Sequence, residues 1–188
     1  MSPSTLQALT RANIAILKQK TNLIQLMKSR FGNNEANYLF SQMCPIVNAS
    51  VGQHIRHSMD HIDLASRLVV EDEMDELHYD LRERGGNDEE NIDAALGRIE
   101  RIRQRLTNKN DGIINRPVQA FFMLSADPTE FHLPSTLSRE LGFATHHAIH
   151  HMAMVKIIAL ETLKIPTEDL PSDFGRAPST VVHDNTIE

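Results

Sequence analysis

The stretches VGQHIRHSMDHIDL (residues 51–64) and ELGFATHHAIHHMAMV (residues 140–155) hold seven of the ten histidines of this 188-residue chain, and their reading decides the fold. At 3.6 residues per turn, His54, His57 and His61 stand at i, i+3 and i+7, which confines them to about 60° of one helix face. Leu64 and Leu68 continue that face, whereas Gln53, Arg56, Asp60, Asp63 and Arg67 fall on the other side. The imidazoles therefore point where the leucines point, into the interior, and Asp60 faces solvent. In the second stretch His147/His151 and His146/His150 are each spaced i, i+4, one above the other and close enough to share an ion. Spacing alone does not choose between the two pairs. A neutral imidazole offers one lone pair, so two from one helix and a third from a facing helix make an N₃ set. Such a set suits Zn, Ni or Fe and leaves one position open for water or substrate.

Outward from these stretches the apolar spacing predicts further helices. Ser4 is a fair N-cap for a first helix of about 25 residues carrying Leu6, Leu9, Ile16, Leu17, Ile24, Met27 and Phe31, closed by the turn Gly32-Asn33-Asn34. The first histidine helix starts near Asn48 or Ser50 and runs to about Val70. EDEMDELHYDLRERGGND reads as an irregular crossover with a solvated charged face, and His78 belongs to that surface. Asn87 or Asp88 caps a third helix, in which Ile92, Ala95, Leu96, Ile99, Ile102 and Leu106 recur at three and four. After the turn NKNDG, PVQAFFML and EFHLP flank Ala126-Asp127-Pro128-Thr129 as a small β-hairpin, with His132 structural in character. The last helix, introduced by Pro134 and Ser135, runs to about Lys164 and is apolar over much of its circumference.

The fold class expected is all-α: a four-helix bundle over residues 1–164, with a long crossover, the small hairpin before the last helix, and an extended C-terminal tail over residues 165–188 packed on the same domain. Phe174 and the pair Val181-Val182 give that tail apolar anchors. From about Leu170 to His183 it either roofs the open coordination position or covers a helix seam. A net charge of −6 without a clustered Lys/Arg stripe provides no footprint for nucleic acid or an anionic membrane, and neither is an expected partner. No run of about 18 apolar residues and no signal-peptide pattern occurs, so a cytoplasmic location is expected. The lone Cys44 excludes an internal disulfide and is not counted as a ligand.

VGQHIRHSMDHI, LHYDLRERGG (residues 77–86), STLSRELGFATHHAIHH (residues 135–151) and DFGRAPST (residues 173–180), in this order, resemble the DinB/YfiT-like superfamily of metal-binding four-helix bundles. The likeness covers most of the chain. It implies an up-down-down-up bundle, frequent homodimers, and one ligand from the second helix with two from the fourth, which by motif are His57, His147 and His151. Many members follow the paired histidines with Arg-Gly-Gln, where this chain has Met152-Ala153-Met154. Relatives include thiol-dependent transferases and isomerases, so the resemblance implies a metal-dependent enzyme that activates water or a thiol, of transferase or hydrolase type, on a small-molecule substrate. The alternative is a non-catalytic, stress-related bundle that binds a metal or small ligand. A general base near the ion would separate the two; Glu140, Tyr79 and Asp80 are the groups to place. A di-iron carrier is set aside because neither histidine stretch contains ExxH.

Overall fold

A computed structural model describes residues 4–70, 75–81, 86–107 and 115–186. Helix α1 (Thr5–Phe31) begins at Ser4, whose hydroxyl accepts from the Gln7 amide while the Gln7 side chain accepts from the Ser4 amide. Gly32, at φ +74°, turns the chain into the short α2 (Asn33–Ser41). Ser50 and Gln53 form a second capping box at the start of α3 (Val51–Arg67). A 3-10 turn (Asn87–Glu89) leads into α4 (Ile92–Thr107), which buries Ile92, Ala95, Ile99, Ile102 and Leu106. Thr136 caps α5 (Leu137–Glu161) by accepting from the Arg139 amide.

The all-α, DinB-like four-helix bundle in up-down-down-up order is overturned. The described residues form six α-helices and a three-stranded mixed sheet in the order β1-β2-β3. The physical reason lies between α3 and α5, where alternating burial favours strands. β2 (Pro117–Met123) pairs antiparallel with β3 (Glu130–Thr136), which is the expected hairpin, with Phe121 opposite His132. β1 (Glu76–His78), in the segment read as irregular, adds to β2 in parallel and buries Leu77. The acidic run at 71–74, residues 82–85 and the turn NKNDG lie outside the described residues.

The helices share one core. α3 packs along α5, α1 against α5, and α4 against both α1 and α3. Gly52 lets α3 approach the 3-10 turn, since a Cβ there would stand 2.0 Å from the Glu89 carbonyl oxygen. Among the described residues no helix is long and apolar enough to cross a membrane.

The expected extended tail is corrected as well. It contains a 3-10 turn (Thr167–Asp169) and α6 (Pro178–Asp184), which opens with proline at its first position, where the missing N–H has no helical partner to lose. Leu170 and Phe174 are buried in the main core. Gly175, at φ +64°, lies so close to α5 that a Cβ would stand 2.6 Å from the Met152 carbonyl oxygen, so only glycine fits. Gln19 on α1 accepts from the Gly175 amide at 3.3 Å. The tail thus covers the α1/α5 seam. Thr145 and Ile149, which line the groove beside α6, stand about 200° around α5 from His147, so the tail lies on the far side of that helix from the inward histidines.

Candidate metal centre

Helix phase places the histidines. His146 and His150 are exposed, while His147 and His151 are half-buried and turn toward α3. From α3, His57 meets them: His147 Nε2 lies 3.1 Å from His57 Nε2 and 3.1 Å from His151 Nε2. One ligand atom from each of His57, His147 and His151 lies within 4.8 Å of the other two, so the three histidines are close enough together for a metal site.

The spacing fits an ion. Three nitrogens held at roughly 2.0–2.1 Å from a tetrahedral ion stand about 3.3–3.4 Å apart, slightly wider than the 3.1 Å contacts here. Protons satisfy this arrangement poorly. An imidazole nitrogen carries one lone pair or one proton, so His147 Nε2 can complete one good hydrogen bond but not two. Burial, followed by the neighbouring His57, His147, His54 and His150, holds the His151 imidazole far below its ordinary range, at about 2, so that ring stays neutral as a ligand must.

Surrounding groups orient the rings. His54 Nδ1 lies 2.8 Å from His151 Nδ1. A proton on His151 Nδ1 donated to His54 leaves the Nε2 lone pair facing the other two histidines. Burial, then His150 and Lys20, lowers the His54 imidazole as well, so it too resists protonation. His61 is buried, with its ring 3.9 Å from that of His147 and stacked on Tyr79 at 4.8 Å.

The sheet brings Tyr79 here, since it follows β1 directly and its amide donates to the Phe121 carbonyl at 3.2 Å. Its hydroxyl donates at 2.7 Å to Oε2 of the fully buried Glu140, which also accepts from Ser135 and pairs with Arg139 at 2.8 Å. Burial, then the Glu140 charge, pushes the Tyr79 phenol upward, so it remains a donor. Two of the general-base candidates are therefore paired with each other one ring beyond His147. Asp80 instead accepts from the Met123 amide at 2.8 Å and braces the sheet.

Other expectations fall outside the centre. His78 pairs with Glu130 at 2.7 Å and stacks on Phe121, while His132 is exposed on β3. Asp60, read as solvent-facing, lies under α4. Arg56 reaches Asp60 at 2.7 Å and Glu89 at 2.6 Å, and Arg98 reaches Asp60 at 2.8 Å and Asp88 at 2.9 Å. The charged face of α3 is thus an interface with α4, which a single-helix projection cannot distinguish from a solvated face.

Lys20 was missed. It is fully buried in the core. Its signal is the stripe Asn13, Leu17, Lys20, Ile24 and Met27, spaced four, three, four and three, in which a lysine occupies a core position.

No family model matches the chain, and no solved structure matches it. FK506-binding protein 5 of Rhizopus delemar is 33% identical over 108 residues, which is 57% of this chain and 27% of that protein. The chain spans about a quarter of the length of this curated relative.

Proposed function

We propose that this chain is a divalent-metal-binding protein whose ligands are the Nε2 atoms of His57, His147 and His151. The observation that carries the reading is their convergence from two helices at 3.1 Å contacts around His147. The resemblance of the histidine segments to DinB/YfiT-like metal-binding proteins supports it independently of the fold expectation. An all-imidazole set favours zinc or nickel, with iron the next choice. The name of the Rhizopus protein speaks of FK506 binding by that protein, and the reading here rests on the histidines instead.

The activity proposed is that of a metal-dependent enzyme of transferase or hydrolase type. A divalent ion with one open position would lower the pKa of a bound water or thiol and supply a nucleophile near neutral pH. The protein's own contribution is to bring three imidazoles together, to fix the His151 tautomer through His54, and to keep the Tyr79–Glu140 pair beside the His61 ring. That buried pair favours catalysis over the alternative of a non-catalytic ion- or ligand-binding protein, for which it has no use.

Metal analysis of untagged protein tests the first step, with one tightly held equivalent expected. Cobalt-substituted protein tests the second. A small thiol should add a sulfur-to-cobalt charge-transfer band, and a spectrum indifferent to thiols and to other anionic ligands would leave the non-catalytic alternative.

A further inference from the structure

Lys20 is among the largest fully buried side chains of the described residues, and among those residues it has no carboxylate in ion-pair range. Its Nζ donates to Ser58 Oγ at 2.7 Å and to Met152 Sδ at 3.4 Å. Burial brings its ammonium down from an ordinary 10.5 to about 7. A buried amine served by one hydroxyl and one weakly accepting sulfur is an expensive way to fill space, because an apolar side chain of similar volume packs there without desolvation cost.

Its two partners stand in particular places. Ser58 follows His57 on α3, and Met152 follows His151 on α5. Ser58 Oγ also lies 2.8 Å from the carbonyl oxygen of His54, the residue whose ring meets His151. One amine on α1 therefore grips both histidine helices beside the converging residues. The tail closes this region on the α1/α5 side, where Gly175 rests on Met152 and bonds Gln19, the neighbour of Lys20.

We propose that Lys20 is a positioning residue of the histidine centre: by bonding Ser58 and Met152 it fixes α3 and α5 at the spacing at which the Nε2 atoms of His57, His147 and His151 converge. This rests on the metal-binding reading above. The rival role, a cation that merely sits near the ion, has the opposite sign, since removing a nearby positive charge tightens binding of a dication.

The test compares zinc affinity by chelator competition, the cobalt absorption spectrum and apo-protein melting in wild type, Lys20→Met and Ser58→Ala. Lys20→Met should keep the helical circular dichroism and melt at or above the wild-type temperature, yet bind zinc about ten- to hundredfold more weakly and change the cobalt band intensities. Ser58→Ala should weaken binding in the same direction. The double variant should lose little more than Lys20→Met alone, because both remove one link. Unchanged or tighter zinc binding in Lys20→Met overturns the proposal, as does a loss of affinity that only tracks a lower apo melting temperature. Should Lys20→Met fail to fold, wild-type affinity and spectrum in Ser58→Ala overturn it alone. A wild-type protein that binds neither metal overturns the metal reading and this inference with it, whereas tight wild-type binding with an indifferent Lys20→Met sinks only the inference.

Discussion

His147→Ala is the sharpest perturbation of the proposed centre, because His147 Nε2 is the atom that touches both of the others, at 3.1 Å each. Without it, His57 and His151 are left as two nitrogens on opposing helices, and a three-nitrogen set becomes a weak two-nitrogen one. The consequence is readable as heat stability. Metal at a hundred times its dissociation constant stabilises a folded protein that binds it by about 2.7 kcal/mol. For a chain of this length each kcal/mol moves the melting temperature by roughly 2–4 °C, so zinc should raise wild-type melting by about 5–11 °C. His147→Ala should lose that rise while its metal-free melting temperature stays near wild type, since the ring is only half-buried. His146→Ala, which alters an exposed ring one residue earlier, should keep it. Circular dichroism melts of untagged protein with and without zinc provide the measurement. A zinc-dependent rise that survives in His147→Ala, or that vanishes in His146→Ala, refutes the assignment.

Three further outcomes are expected. Chelation should lower the melting temperature without loss of helical signal at room temperature, because a chain of this size with an apolar core from Leu6 to Phe174 buries enough surface to fold by its own packing; unfolding on chelation would make the ion structural. Phe174→Ala, which empties a fully buried aromatic site, should cost about 3–5 kcal/mol in urea melts, and truncation after Lys164 should cost at least as much while leaving the ligand atoms in place; an unchanged midpoint in either would refute the docking of the tail. The apo protein should grow more stable as pH rises from 7 toward 10.5, because in that window the unfolded chain holds a proton on Lys20 that the folded chain releases. With a folded value of about 7, the full gain is up to about 5 kcal/mol, and Lys20→Met should flatten that part of the curve; equal slopes in both proteins would refute it.

Much of the helical framework was legible because its signals are local. Ser4 announces the first helix start, Ser50 is one of the two starts expected for the first histidine helix, and the spacing of Ile92, Ala95, Ile99 and Ile102 announces a third helix. The β2–β3 hairpin declared itself through Asp127-Pro128 between two strand-like runs. What failed to show depends on partners elsewhere. β1 is three residues whose only reason to extend is the parallel edge of β2, and no local pattern encodes a parallel partner. The tail expected to be extended hides α6, because Pro178 stands at the first position of a helix, where proline is a starter. At the centre, α5 is apolar nearly all round, so its sequence does not fix which histidine pair faces inward; only the packing of α3 across it does.

The pair left outside has a practical consequence. His146 and His150 sit one turn apart on an exposed face of α5, which makes them a two-toothed surface chelate of the kind that immobilised nickel captures. The untagged chain should therefore be retained on a nickel column and elute at modest imidazole. Protein prepared that way can carry adventitious nickel at this outer pair, so a metal content above one equivalent, or nickel in place of zinc, would report the chromatography before it reported the biology.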